Sequence, residues 1–94
     1  MLLIEKNRDG HFALKGRFDA SQVGKAKDFF DQCQTTVTLD FQDLEYISSA
    51  GLGILLFTQK RLSQTGNGLT LINLNKHIQD VFRYAGFNSI FRIE

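Results

Sequence analysis

The sequence predicts an α/β domain, a mixed four- to five-stranded sheet with helices packed mainly on one face, in the order β-β-α-β-α-β-α-β. Three observations carry this reading. Thr36 to Phe41 alternates, with Val37, Leu39 and Phe41 pointing one way and Thr36, Thr38 and Asp40 the other. Val23, Ala26, Phe29, Phe30 and Cys33 recur at helical spacing, with lysines and acids between them. Strand-like and helix-like segments then follow one another in turn, which favours right-handed parallel crossovers.

Taken in order, Leu2 to Glu5 reads as a short strand, and Asp9-Gly10 as the turn of an antiparallel hairpin. A second strand covers His11 to Lys15, where Phe12 and Leu14 alternate with more polar neighbours. Gly16-Arg17-Phe18-Asp19-Ala20-Ser21 reads as a turn into the first helix, with Asp19 or Ser21 as its cap. The alternating strand of residues 36–41 comes next. A second helix is expected from about Ala50 to Ser63, closed by Gly66-Asn67-Gly68. Leu69 to Leu74 is a strand again. A third helix starts near Lys76, carries Ile78, Val81, Phe82 and Ala85 on one stripe, and stops at Gly86. Ile90 to Ile93 forms a last short strand.

The chain has 94 residues, 43% of them hydrophobic and 22% charged, with no repeat or linker, so residues 1–94 are read as one domain. A chain of this size hides roughly two thirds of its unfolded surface and needs no metal or disulfide staple. A net charge of +1 offers no basic face for displacing counterions, so nucleic acid is not an expected partner. No segment approaches the roughly 20 apolar residues that cross a bilayer, so no direct membrane insertion is expected. Met1-Leu2-Leu3-Ile4 is broken by Glu5 and Lys6 and is too short for a signal peptide core. The single cysteine, Cys33, reads as a buried structural thiol, and the expected compartment is a reducing cytoplasm.

The most informative stretch is Tyr46-Ile47-Ser48-Ser49-Ala50-Gly51-Leu52-Gly53, which puts two hydroxyls where a strand gives way to a strongly apolar helix. Free amides and the positive end of the helix dipole gather there and can hold an anion. The structural reading makes Ser49 the N-cap, accepting the amide proton of Gly51 or Leu52. The functional reading makes the junction a site. Gly51 favours close approach of something to the backbone, since glycine costs a helix about 1 kcal/mol relative to alanine. Gly53 repeats the oddity. Leu52, Ile54, Leu55, Leu56 and Phe57 are apolar nearly all round the helix, so some of them are either covered by a neighbouring helix or offered to a partner.

The run Leu39-Asp40-Phe41-Gln42-Asp43-Leu44-Glu45-Tyr46-Ile47-Ser48-Ser49-Ala50-Gly51-Leu52-Gly53 resembles the signature of the STAS family, the sulfate transporter and anti-sigma factor antagonist domains. That motif is a strand ending in acidic–Leu–x–x, an apolar pair, then Asp/Ser-Ser-Ser/Ala-Gly-Leu. Gly16-Arg17-Phe18-Asp19 is similar to the family's Gly-x-apolar-Asp marker before its first helix. Val81-Phe82-Arg83-Tyr84-Ala85-Gly86-Phe87 resembles its late apolar–Phe–x–x–x–Gly–apolar segment. The resemblance covers essentially the whole chain in the right order.

It implies a single STAS-like domain and, for the stand-alone members, an anti-sigma factor antagonist that works by partner switching. Such a protein binds an anti-sigma factor that is also a serine kinase. Phosphorylation releases it, and a serine phosphatase resets it. Matched position by position, the phosphoacceptor falls on Ser49 and the acid that contacts the kinase on Asp19. Many members have aspartate just before the acceptor, where this chain has Ser48, so Ser48 stays open as the alternative. The implied partner-binding set is Asp19, Ser21, Ser48, Ser49, Ala50, Gly51, Leu52 and Gly53. A second implied role is docking onto the ATPase of a lipid-transport complex, where the same serine forms a contact without being modified.

An enzyme is the poorer reading. A serine nucleophile needs a general base, and the only histidines are His11, by a hairpin turn, and His77, at the start of the third helix. There is no Gly-x-Ser-x-Gly elbow, no cysteine–histidine cluster for a metal and no Walker-type loop, so no cofactor is expected.

Overall fold

The structure is a computed structural model that describes residues 1–94. Strands β1 (Leu2–Lys6) and β2 (Phe12–Phe18) form the expected antiparallel hairpin, with Leu2 opposite Gly16 and Lys6 opposite Phe12. The turn closes on Asn7, whose side chain accepts the amides of Asp9 and His11 at 3.1 Å, while Gly10 takes φ 79°. A single 3-10 turn, Ala20–Gln22, leads into α1 (Val23–Asp31). Strands β3 (Val37–Asp40) and β4 (Leu44–Ile47) precede α2 (Ser49–Ser63). Strand β5 (Leu69–Ile72), α3 (Lys76–Tyr84) and β6 (Arg92–Ile93) complete the chain.

The sheet has six strands, ordered β1-β2-β3-β5-β6 with β4 also on β2, and every pair except β1–β2 is parallel. Two expectations are corrected here. Gly16-Arg17-Phe18 is not a turn but the end of β2, and the strand of residues 36–41 is followed by a second strand, β4, which the pattern did not reveal. Both differences have one cause. Strand β3 pairs with the start of β2 (Phe12↔Leu39, Ala13↔Asp40), the chain breaks at Phe41-Gln42-Asp43, and β4 resumes beside the end of β2 with a register shift between Gly16 and Arg17. Glu45 is the extra residue of that bulge, so Leu44 and Ile47 are both buried although three apart.

Gly16 is required at this bulge. It takes φ 91°, and a Cβ there would lie 2.2 Å from the Met1 carbonyl oxygen, which accepts the Arg17 amide.

One core unites the layers. Leu14 and Phe18 of β2, Leu39 of β3, and Leu69 and Leu71 of β5 are buried. Lys15, Arg17, Thr38, Asp40 and Thr70 alternate with them on the opposite, more open face. Ala26 and Phe30 of α1 and Leu52, Leu55 and Leu62 of α2 complete the covered side. Each large apolar side chain removed from water contributes about 1.5–3 kcal/mol. Phe82 of α3 meets the rings of Phe41, Phe87 and Phe91 edge-on, at centroid distances of 6.2, 6.5 and 5.7 Å.

Two long side chains tie the helices down. Arg61 donates from Nη2 to the Phe30 carbonyl at 2.8 Å, joining the end of α2 to α1. Asn75 caps α3 by accepting the Ile78 amide at 2.9 Å, and its Nδ2 donates to the Leu44 carbonyl on β4 at 3.1 Å. Cys33 is half-buried rather than buried. Its thiol donates to the Phe29 carbonyl, and burial pushes its pKa above the ordinary 9.0.

Candidate functional site

Strands β2 and β4 are parallel neighbours that end together, Phe18 opposite Ile47. The Ser48 amide donates to the Phe18 carbonyl at 2.9 Å, closing the last rung between them. Asp19 and Ser48 therefore leave the sheet side by side at its carboxyl end. This is the edge of an α/β sheet where helix N-termini and loops collect and ligands bind.

The two serines divide the work differently from the expectation. Ser48, not Ser49, is the N-cap of α2. It has extended backbone (φ −87°, ψ 170°), and its Oγ accepts the Gly51 amide at 3.1 Å. Its carbonyl accepts the Leu52 amide at 2.9 Å as the first intrahelical bond. Ser49 is the first helical residue. Its side chain is exposed and has no hydrogen-bond partner in the fold, and its Oγ stands on the first turn, where the dipole favours negative charge. One hydroxyl is used by the structure and the next is left over.

Ala50 and Gly53 are also exposed, whereas Gly51 and Leu52 turn inward. A Cβ on Gly51 would meet Ile47 Cγ1 at 3.0 Å and the Phe18 ring at 3.1 Å, so the backbone of α2 lies directly on the ends of β2 and β4. The close approach inferred for this glycine is made by the protein's own core. Of the apolar run, Leu52 and Leu55 are buried, Ile54 and Leu56 half-buried, and Phe57 stands 62% exposed.

Asp19 is the N-cap of the 3-10 turn. One carboxylate oxygen accepts the Ser21 amide at 3.0 Å and the Ser21 hydroxyl at 2.5 Å. The hydroxyl hydrogen bond is the main reason its pKa is held below the ordinary 3.8. Gln22 extends the network in a way the sequence did not signal. Its Nε2 donates to Ser21 Oγ and its Oε1 accepts the Leu2 amide, both at 3.1 Å. Lys25 Nζ donates to the Leu2 carbonyl. Asp19 is thus braced on the edge strand.

Asp40 lies elsewhere. It pairs with Ala13, five residues back along β2 from Phe18, or about 16 Å at 3.3 Å per residue. It is engaged with the Gln42 amide and Asn73. Arg17 stacks on Tyr46 at 4.3 Å, on the sheet face opposite the core, beneath the junction. No group of three or more His, Cys, Asp or Glu side chains is placed to hold a metal ion, and no helix is long and apolar enough to cross a membrane.

Residues 3–92 match the family model described as "Mlab, STAS domain". A Bordetella bronchiseptica protein provisionally named anti-sigma factor antagonist BtrV is 43% identical over 63 residues, covering 67% of this chain and 54% of that protein. The chain thus aligns with about half the length of that relative. Among solved structures, a provisionally assigned anti-sigma factor antagonist from Thermotoga maritima superposes with a TM-score of 0.79 at 19% identity, over 99% of this chain and 85% of that one. The Bacillus cell fate determinant SpoIIAA in its phosphorylated form gives 0.71 at 18% identity, over 100% and 91%. At these identities the structures share the fold. With the family match spanning nearly every residue and the two marker segments meeting at one sheet edge, the chain belongs to the STAS family.

Proposed function

We propose that this chain is an anti-sigma factor antagonist that binds an anti-sigma serine kinase while Ser49 is unmodified and lets go when Ser49 is phosphorylated. A serine phosphatase restores the binding form, and both partners are met in the cytoplasm. The observation that carries this reading is the division of labour at the junction: Ser48 caps α2, so Ser49 Oγ is exposed, free of hydrogen bonds and open to another protein's active site. The name carried by the 43% identical relative supports the same class of partner.

The physics of release is electrostatic. Phosphate adds about −1.5 to −2 charges and three strong acceptors. On the first turn of α2 the dipole and free amides tolerate that charge, so the fold is unchanged. An interface closed over Ser49 has no such compensation. Stripping the water from a dianion without supplying a cation costs several kcal/mol, and about 1.4 kcal/mol already lowers affinity tenfold. Ser49 is a substrate here, not a nucleophile.

The test is to incubate the protein with ATP and each anti-sigma serine kinase of its genome, then locate phosphate by mass spectrometry. A single label on Ser49 is expected, with Ser49→Ala binding persistently and Ser49→Asp binding at least tenfold more weakly. A label on Ser48 would move the site by one residue. No label with any kinase would instead favour docking onto a transporter ATPase.

A further inference from the structure

Helices α1 and α2 do not close on each other beside the serine junction. They leave an open groove of about 240 Å³, with Phe30 of α1 on one side and Ala50, Ile54 and Phe57 of α2 on the other. Its charged groups, Lys27 and Asp31, pair with each other at 2.9 Å, so the opening offers no unmatched charge to an ionic guest. Phe57, 62% exposed, stands at its edge.

Gly53 lines the same groove, and its place there has no explanation within the fold. Gly51 is needed because Phe18 and Ile47 press on it, but a Cβ at Gly53 would meet no atom within 4 Å. Glycine is among the least favourable residues inside a helix, and here it leaves bare backbone facing an apolar hollow. Interface anchors are large side chains that fill pockets in a partner's surface, and this hollow is unfilled. The groove is also continuous with the switch, because Ala50 both lines it and follows Ser49.

We propose that the α1–α2 groove receives an uncharged apolar side chain of the same protein that reads Ser49, seated over Gly53 and against Phe57. This rests on the reading of Ser49 as the switch. The groove supplies affinity, while the serine decides whether that affinity can be used. The mutual pairing of Lys27 and Asp31 selects an apolar group rather than a charged one.

The test uses a purified anti-sigma serine kinase from the same genome, chosen because it phosphorylates this chain, with binding measured by calorimetry. Phe57→Ala, which removes the wall, and Gly53→Leu, which fills the hollow, are each expected to weaken binding at least tenfold. Both sites are open to solvent, and circular dichroism and the melting temperature check that each variant folds. Amide shifts on adding kinase to the wild-type protein are expected at Gly53, Ile54 and Phe57. Wild-type affinity in both variants, with Ser49→Asp still weakened, would overturn the groove and leave the switch standing. Weak binding in both variants, with Ser49→Asp unaffected, would instead keep the groove as a contact with this kinase and reject the serine as its switch. If calorimetry detects no complex between this kinase and the wild-type chain, both ideas fall.

Discussion

The Ser48 amide donates to the Phe18 carbonyl at 2.9 Å, and this bond brings together two loops thirty positions apart in the chain. It also fixes which serine is structural. With its amide held by β2, Ser48 has the extended backbone of a cap, and its hydroxyl reaches the Gly51 amide at 3.1 Å. Ser48→Ala should therefore cost about 1 kcal/mol, whereas Ser48→Gly should cost only a few tenths. For a domain of this size the alanine change lowers the melting temperature by roughly 4–8 °C. Ser49→Ala, which removes an exposed and unbonded hydroxyl, should stay within about 0.5 kcal/mol of wild type. Urea unfolding of the three variants checks the order, and equal losses at the two serines would reject this assignment.

A negative charge at Ser49 should strengthen the fold slightly. Ser49 is the first residue of α2, and that first turn carries no acidic side chain. Ser49→Asp is expected to add about 0.3–1 kcal/mol at low ionic strength. The gain should shrink in 1 M salt, where the screening length falls to about 3 Å. Urea titrations at both salt concentrations read this directly. A destabilised Ser49→Asp would mean that any loss of partner binding reflects damage to the fold rather than charge at the contact.

Much of this architecture was legible because burial alternates where the sequence alternates. Leu39 and Phe41 are buried, and the helical spacing of Val23, Ala26 and Phe30 lies where α1 does. Strand β4 escaped because the bulge breaks that period. Leu44 and Ile47 both point inward three residues apart, a spacing that suggests a helical turn as readily as a strand. Glycine punctuates chains and so suggests a turn at Gly16, yet here it serves a close backbone contact inside a strand pair. The cap falls one residue earlier than the pattern suggests, for a related reason. Adjacent serines look alike in sequence, and only the Phe18 rung distinguishes them. Side-chain reach across elements, as in Gln22 to Leu2 or the groove beside Gly53, leaves no periodic trace.

Acidification should test the brace on Asp19. Its pKa lies below the ordinary 3.8 in the folded protein, chiefly because the Ser21 hydroxyl donates to it. The stability this carries is fully present above the unfolded value and is lost as the pH falls through the lower, folded value. The window therefore lies below about pH 4. Ser21→Ala removes the principal cause and should raise the Asp19 pKa toward 3.8. NMR titration of the Asp19 carboxyl carbon in both proteins measures this. An unchanged midpoint in Ser21→Ala would show that the hydroxyl contact does not persist in solution.

Alanine at the two glycines of α2 should act with opposite signs, although the positions are two residues apart in one helix. At either site alanine recovers about 0.8–1 kcal/mol of helix propensity. Gly53 faces open space, so Gly53→Ala keeps that gain and should raise the melting temperature by several degrees. At Gly51 the new methyl would lie 3.0 Å from Ile47 Cγ1 and 3.1 Å from the Phe18 ring. Both neighbours are buried, at 4% and 0% exposure, and the Phe18 carbonyl anchors the Ser48 rung, so neither can move aside cheaply. Overpacking of this kind costs about 1–3 kcal/mol, which exceeds the propensity gain and makes Gly51→Ala net destabilising. The same substitution then separates a glycine kept for the core from one the fold does not need. Thermal melts of both variants decide the matter, and a stabilised Gly51→Ala would mean that the contact between α2 and the ends of β2 and β4 is looser than these distances imply.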